Sequence, residues 1–263
     1  MSDSTKTAQA IGKELSQEYD YPSFRLGDAR VEVWSVESAA PESVIRQFQN
    51  VLSAEERTRA ANFRFERDRN AFVVARGVLR VLLARYLGAS PADVEFAYSS
   101  KGKPSLPGSI IEFNISHTDG AVLLAFAQEC ALGVDIESVR PVPDMMQIAR
   151  GNFCLEEALE LADLPEEERQ RAFFQCWTRK ESYIKATGNG LSTPLSEVRV
   201  SFREGEPASI VRIGNDPAAA DAWVLHNLEV SPAYAAAIAY CGAPRRISLS
   251  PFMLAARLVG AEN

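Results

Sequence analysis

The sequence lacks several features that would assign it to a common class of site. It contains only two histidines and four cysteines in 263 residues, and no two cysteines form a CxxC pair or show metal-finger spacing. Neither the GxxxxGK[ST] phosphate loop nor the GxGxxG dinucleotide motif occurs. Zinc-finger and common nucleotide-binding motifs are therefore excluded, and the cysteines are expected to be reduced thiols.

Long apolar runs and an excess of positive charge are also missing. No apolar stretch is long enough to span a bilayer, and residues 1–20 lack the apolar segment of a secretory signal. The formal net charge of −7 argues against a broad nucleic-acid interface. We therefore expect a cytoplasmic protein with no membrane partner and no nucleic-acid partner.

What the chain does contain is an ordinary globular composition with alternating strand and helix patterns. Hydrophobic residues make up 46% and charged residues 24%, enough for one large domain or two small ones. "LSAEERTRAANF" predicts a helix that begins with a capping box of Ser53 and Glu56. The segments "AVLLAFA" and "LGVDIE" are interpreted as the two strands of a hairpin, as are 222–230 and "YAAAIAY".

A similar order of patterns recurs in the second half of the chain. One long helix is predicted over 69–88 and another over "RQRAFFQCWTRKESYIKATG", which ends at Gly188. Laying "NAFVVARGVLR" over "RAFFQCWTRKE" places Arg80 opposite Glu181. An internal duplication is one hypothesis for this weak likeness.

Two carboxylates stand inside the apolar run "CALGVDIESVRP". On a strand, Gly133, Asp135 and Glu137 point to one face, while Val134 and Ile136 point into the core. Neighbouring carboxylates repel each other unless a cation lies between them, and Mg²⁺ prefers oxygen ligands. The alternative is a solvated edge strand that carries two surface acids.

A second cluster lies on the predicted helix before Gly188. Trp177, Glu181 and Lys185 are spaced four residues apart and share one helix face. The alternative to a functional role is a surface Glu–Lys pair beside a core tryptophan, worth about 0.2–0.5 kcal/mol.

A third cluster supplies cations and hydrogen-bond donors near predicted turns. Lys101, Lys103, Ser116 and His117 carry chemistry that suits a phosphate group. Taken alone, His117 is better interpreted as a structural histidine, and Arg59 as a solvated residue on a helix face.

These stretches together resemble one family. "KGKP", "FNISH", "GVDIE" and "WTRKESYIKATGNGL", in this order, resemble the 4′-phosphopantetheinyl transferases of the larger, monomeric Sfp type, from Leu52 to Leu191. The resemblance implies an α+β fold of two similar subdomains in a pseudo-twofold arrangement, with the active site in the cleft between them. The expected divisions are a mobile segment 1–20, subdomains 21–131 and 132–248, and a tail 249–263.

The resemblance also implies an activity. Such enzymes transfer the 4′-phosphopantetheine arm of coenzyme A to a serine of an apo acyl or peptidyl carrier protein and release adenosine 3′,5′-bisphosphate. The implied metal ligands for Mg²⁺ are Asp135, Glu137 and Glu181. The implied contacts of coenzyme A are Arg59, Lys101, Lys103, Ser116 and His117.

The catalytic roles are argued from the chemistry of the transfer. A serine hydroxyl is a poor nucleophile until its proton is removed, and Glu181 is the candidate base. Lys185, one turn further along the helix, could protonate or stabilise the departing phosphate. Two rival functions share parts of this pattern: a Mg²⁺-dependent nucleotide pyrophosphate hydrolase, and a non-enzymatic module that binds carrier proteins.

Two further positions bear on the fold. Cys154 stands where the family usually has Ser or Thr before a helix, so a weaker helix cap is expected there. Glu157 matches a glutamate that recurs in the family.

Overall fold

The computed structural model describes residues 26–254 except 28, 189, 191 and 192. The segment 1–20, expected to be mobile, lies outside the described residues. The first half of the described chain contains β1 (Arg30–Glu37), α1 (Glu42–Val51), α2 (Ala54–Ala61), α3 (Glu66–Leu87), β2 (Ala97–Tyr98), β3 (Pro104–Ser105), β4 (Ile111–Thr118) and β5 (Ala121–Gln128).

The second half repeats much of this order. It contains β6 (Leu132–Ser138), α4 (Met145–Asn152), α5 (Leu155–Asp163), α6 (Glu166–Thr187), β7 (Val198–Val200), β8 (Ile210–Ile213), β9 (Trp223–Asn227), β10 (Tyr234–Cys241) and β11 (Arg246–Phe252). No helix within the described ranges is both long enough and apolar enough to cross a membrane.

Two sheets form the centre of the fold, in the orders β11-β1-β5-β4 and β6-β10-β9. The predicted hairpin of β5 with β6 is therefore wrong. Strand β5 pairs with β4 on one side and with β1 on the other, so it has no free edge for β6. Strand β6 instead pairs with β10. The predicted hairpin of β9 with β10 is confirmed.

The internal duplication is visible in the topology. The pairing β1-β5-β4 in the first half corresponds to β6-β10-β9 in the second. Helices α3 and α6 each contain 22 residues, and each ends at a glycine in the left-handed region, Gly88 and Gly188. The two helices are therefore offset by 100 residues, from 66–87 to 166–187, so Arg80 corresponds to Lys180 and not to Glu181.

Equivalent buried ion pairs support this register. The predicted capping box of α2 is confirmed, and its Glu56 also lies 2.6 Å from Arg80 of α3. In the second half Glu157, in the first turn of α5, lies 2.6 Å from Lys180 of α6. The fold is an α+β arrangement of two similar halves, as expected.

The C-terminal boundary differs from the expectation. Residues 249–252, assigned to a tail that begins at 249, belong to β11, which pairs in parallel with β1 from Arg30↔Arg246 to Val36↔Phe252. The pairing gives hydrogen-bond partners to the backbone polar groups at the outer edge of β1, which would otherwise be exposed. The chain thus returns to the first half after β10. The remainder of the predicted tail, 255–263, lies outside the described residues.

The sheet β6-β10-β9 lies between two cores. Val134 and Ile136 of β6 are buried in the core of the first half, as the alternation predicts. Gly133 and Asp135, on the opposite face of β6, pair with Ala239 and Ala237 of β10. These two alanines lie in the core of the second half together with residues of α6. The acidic face of β6 therefore points toward α6 and not toward open solvent.

Candidate active site at the junction of the two halves

Close packing of β6 against α6 brings the acidic cluster and the helical cluster together. A methyl group built at Gly133 would overlap the carbonyl oxygen of Ser182 and the amide nitrogen of Ala186. The glycine therefore admits the helix backbone. This approach places Lys185 next to Asp135.

Asp135 is the centre of the cluster. Its side chain is only 7% exposed, and its Oδ1 lies 2.6 Å from the Lys185 ammonium. The Ser116 hydroxyl donates to the same Oδ1 at 2.8 Å, and Lys185 donates to Ser116 Oγ at 2.8 Å. Residues from β4, β6 and α6 thus meet in one hydrogen-bonded triangle.

Alternate residues of β4 join the two sheets through their side chains. Asn114 Oδ1 accepts from the Val134 N–H at 3.0 Å, and Thr118 Oγ1 accepts from the Ser138 N–H at 3.2 Å. With Ser116 they form a polar row on one face of β4 that takes the place of backbone pairing to β6. The sequence interpretation included Ser116 but missed the other two, although the alternation N-x-S-x-T in "FNISHT" was a usable signal.

The electrostatics of the cluster are those of three acids that share one lysine. Burial, and then the charge of Asp135, raise the pKa of Glu137, while Arg140 opposes the shift. Burial raises the pKa of Glu181 too, again with Asp135 as the next cause, while Lys185 lowers it. Burial and the charge of Asp135 therefore disfavour the ionised form of both carboxyls, and Lys185 only partly offsets this effect.

The cluster has the chemistry of a divalent-cation site. Asp135 Oδ2 is buried and has no hydrogen-bond partner among the described residues, which is costly for a carboxylate oxygen. Oxygen donors from Asp135, Glu137 and Glu181 are the kind that Mg²⁺ binds. Within the described ranges no three His, Cys, Asp or Glu side chains already stand in a metal-binding arrangement. The donor set fits the ion, but the side chains would have to turn toward it.

His117 and Arg59 extend the site with cationic and polar groups. His117 follows Ser116 on β4 and has an exposed side chain. Its pKa is lowered, first by partial desolvation and then by the charges of Lys185 and Arg59. The Arg59 guanidinium, near the end of α2, lies over the Phe72 ring at 5.2 Å.

The two lysines of "KGKP" are placed differently from each other. Lys101 is exposed on the turn between β2 and β3. The ammonium of Lys103 instead points to the end of α6 and donates to backbone carbonyls. Burial lowers the pKa of Lys103, and Glu112 opposes this shift.

Other charged residues near the motifs have structural roles. Arg76 and Arg80 are buried and bind opposite oxygens of Glu56. Glu157 is fully buried and accepts from the backbone N–H groups of Cys154 and Val200, besides its pair with Lys180. The sequence interpretation left Glu157 without a role. Its partners show that it ties the start of α5 to α6 and β7.

Together, the repeated α+β halves and the acid–lysine cluster at their junction define a two-subdomain α+β protein with a candidate site where the halves meet. Residues 131–239 match the family model described as 4′-phosphopantetheinyl transferase superfamily. Residues 39–129 match the model of 4′-phosphopantetheinyl transferase, N-terminal. The two matches meet between β5 and β6.

Curated relatives agree with these matches. The chain is 36% identical over 225 residues to 4′-phosphopantetheinyl transferase HetI of Nostoc sp., across 84% of this chain and 92% of that protein. It is 28% identical over 193 residues to 4′-phosphopantetheinyl transferase Sfp of Bacillus subtilis, across 73% of this chain and 83% of that protein. The chain belongs to the 4′-phosphopantetheinyl transferase superfamily and is an Sfp-type enzyme of this class.

Proposed function

We propose that this enzyme transfers the 4′-phosphopantetheine arm of coenzyme A to a serine of an apo acyl or peptidyl carrier protein, with Mg²⁺ bound, and releases adenosine 3′,5′-bisphosphate. The observation that carries the proposal is the triangle of Asp135, Ser116 and Lys185, with Glu181 on the same helix face as Lys185. The phosphate-binding cations expected for coenzyme A lie on the elements around it.

The reaction replaces a phosphoanhydride bond of coenzyme A with a phosphate ester bond to the carrier. The serine oxygen of the carrier forms a bond to the phosphorus that bears the pantetheine arm. The bond from that phosphorus to the bridging oxygen of the diphosphate breaks, and the electron pair leaves with the adenosine 3′,5′-bisphosphate. The proton of the serine hydroxyl passes to a base, so that atoms and charge balance.

Glu181 is suited to accept the serine proton. Burial, and then the charge of Asp135, raise the pKa of Glu181 in the metal-free protein, and a carboxylate within reach of the serine hydroxyl can act as the general base. Lys185 lies one turn away and can donate a hydrogen bond or proton to the departing phosphate oxygen. Ser116 holds Asp135 in place, since its hydroxyl donates to Oδ1.

Asp135, Glu137 and Glu181 would hold Mg²⁺, and Asp135 Oδ2 is an oxygen without a competing hydrogen bond among the described residues. When bound, the ion would supply positive charge that neutralises the diphosphate oxygens. Arg59, Lys101 and His117 would bind phosphate groups of coenzyme A, with the 3′-phosphate assigned to His117.

We further propose that the enzyme is a cytoplasmic monomer whose carrier docks through a local patch. The chain has a net charge of −7, so long-range attraction of an acidic carrier is not available.

One experiment tests the proposal against its two rivals. The protein is incubated with coenzyme A, Mg²⁺ and an apo carrier protein, and the carrier is weighed by mass spectrometry. A gain of one phosphopantetheinyl group supports transfer. Cleavage of coenzyme A without a gain indicates a pyrophosphate hydrolase, and binding of the carrier without chemistry indicates a binding module. Asp135→Asn serves as the inactive control.

A further inference from the structure

Lys103 is held by backbone carbonyls at the end of the long helix of the second half. Its Nζ donates to the carbonyl oxygens of Lys185 at 2.7 Å, Ala186 at 3.3 Å and Leu132 at 3.3 Å. A lysine ammonium has three hydrogen-bond donors. All of them are therefore used within the protein, which differs from the phosphate contact expected from the sequence.

These bonds connect the two halves of the fold. Lys103 belongs to the turn between β2 and β3 in the first half, whereas its acceptors belong to β6 and α6 in the second. The same turn packs against the glycines that follow α6. A methyl group built at Gly188 would lie 3.7 Å from Lys103 Cδ, and one built at Gly190 would lie 3.7 Å from Lys101 Cβ.

Two of the acceptors, the carbonyls of Lys185 and Ala186, are groups that a helix leaves unpaired. The last carbonyls of a helix have no partner within it and carry the negative end of the helix dipole, so a cation there is stabilising. The shortest of the three bonds is to the carbonyl of Lys185 itself. The side chain of that residue is the one that contacts Asp135 and Ser116.

We propose that Lys103 is a positioning residue, a clamp across the two halves that fixes the last turn of α6 and thereby the Lys185 side chain beside Asp135. The expected effect of Lys103 on turnover rests on the proposed function. Its effect on the structure of α6 does not depend on that function. Without the clamp, the terminal carbonyls of Lys185 and Ala186 lose their cationic partner from the first half. A shift of about 1 Å in a reacting group can cost roughly 10²-fold in rate.

The test compares Lys103→Met, which keeps the aliphatic stem and removes the ammonium, with the unmodified chain. We expect kcat to fall roughly tenfold or more, because Lys185 is less well placed. The dissociation constant for coenzyme A, measured by titration calorimetry, should change by less than about threefold, because the ammonium is not a phosphate ligand. A large loss of coenzyme A affinity with kcat retained would overturn the inference, and so would unchanged values of both.

Hydrogen exchange gives a readout that does not depend on turnover. Amides of the last turn of α6 should exchange faster in Lys103→Met. The matched variant Lys101→Met removes a charge from the same turn but not the clamp, so exchange in α6 should stay at the unmodified rate. An equal increase of the exchange rate in both variants would show a general effect of charge in the turn between β2 and β3, and it would contradict the clamp.

Chemical rescue separates the ammonium from folding damage. Lys103→Cys treated with 2-bromoethylamine regains an ammonium at the same reach, and slow exchange and kcat should return together. Unmodified protein given the same treatment controls for alkylation of the exposed Cys241. Failure of rescue in a folded, alkylated protein would contradict the inference. If the unmodified protein transfers no phosphopantetheine to a carrier, the proposed function is wrong. The hydrogen-exchange comparison of Lys103→Met with Lys101→Met still tests whether Lys103 holds the last turn of α6.

Discussion

Lys185 and Asp135 lie 2.6 Å apart across the contact between α6 and β6, and they form the ion pair on which the candidate active site is built. Lys185 is 29% exposed, whereas Asp135 is 7% exposed. The lysine therefore reaches the site from its open side, where a phosphate can approach it. The aspartate is set in position by Ser116.

Asp135→Ala is expected to abolish transfer at any practical Mg²⁺ concentration. The change removes the central oxygen donor proposed for Mg²⁺ and the partner of Lys185, and loss of about 10²–10³-fold or more in kcat is the expected scale for such a group. Mass spectrometry of the carrier over a range of Mg²⁺ concentrations measures it, with Asp135→Asn as the variant of matched size. Turnover like that of the unmodified enzyme would remove the metal assignment.

Lys185→Ala is expected to lower turnover far more than affinity for coenzyme A. The ammonium would act on charge that develops as the phosphate departs, so its loss should reduce kcat by about 10²-fold while the dissociation constant changes by a few fold. Steady-state kinetics and calorimetry give the two quantities. An unchanged kcat with weak binding would instead make Lys185 a residue that only binds coenzyme A.

Glu157→Ala should destabilise the fold without changing the chemistry of the folded protein. It leaves the fully buried Lys180 without its carboxylate, and breaking such a pair costs about 3–5 kcal/mol. Urea denaturation measures the loss, and kcat is normalised to the folded fraction. The double change Glu157→Leu with Lys180→Met should recover part of the stability, because no buried charge is left alone. A double variant no better than the single would count against the ion-pair explanation.

Glu181→Gln should make the metal-free protein more stable at neutral pH and inactive. The pKa of Glu181 is raised above its ordinary value of 4.5 by burial and by Asp135. Its contribution to stability is therefore fully present below pH 4.5 and is lost as the pH rises through the folded-state pKa. Relative to the difference at pH 4, the Tm of the variant at pH 7 should rise with respect to that of the unmodified protein.

Thermal unfolding between pH 4 and pH 8 in the presence of a chelator checks this expectation. Glu181→Asp keeps the charge and is the control, since it should retain the decline in Tm as the pH rises. Parallel pH profiles for the unmodified protein and Glu181→Gln would contradict the raised pKa.

Gly133→Ala is expected to separate β6 from α6. The added methyl group would overlap backbone atoms of Ser182 and Ala186, which cannot move as a flexible side chain can. We expect a loss of about 1–3 kcal/mol or more and a large fall in kcat. Gly151→Ala is the matched control: it lies in α4 with nothing within 4 Å of the added atom, and should be neutral or stabilising by up to about 1 kcal/mol. Equal effects of both changes would show that close packing at 133 is not the cause.

Local patterns in the sequence predicted several local arrangements correctly. The alternation around Asp135 and Glu137 placed Val134 and Ile136 in the core, and the helical spacing put Glu181 and Lys185 on one face. The capping box of Ser53 and Glu56 was also predicted from the sequence. These features depend on the periodicity of one element or on bonds between residues three or four apart, so the residues concerned are close together in the sequence.

The pairing of distant elements depended on the tertiary structure. The sequence indicated that β5 and β6 are strands but not that β5 already has two partners, and it did not predict that β11 pairs with β1. Lys103 shows the same limit at a single side chain. Its residue type suggested a phosphate ligand, whereas its acceptors are backbone carbonyls more than 25 residues away, and any residue type supplies a carbonyl. The amino-acid sequence by itself therefore determined the family, because its motifs are local, and tertiary packing decided that Lys185 pairs with Asp135 while Lys103 bonds to the end of α6.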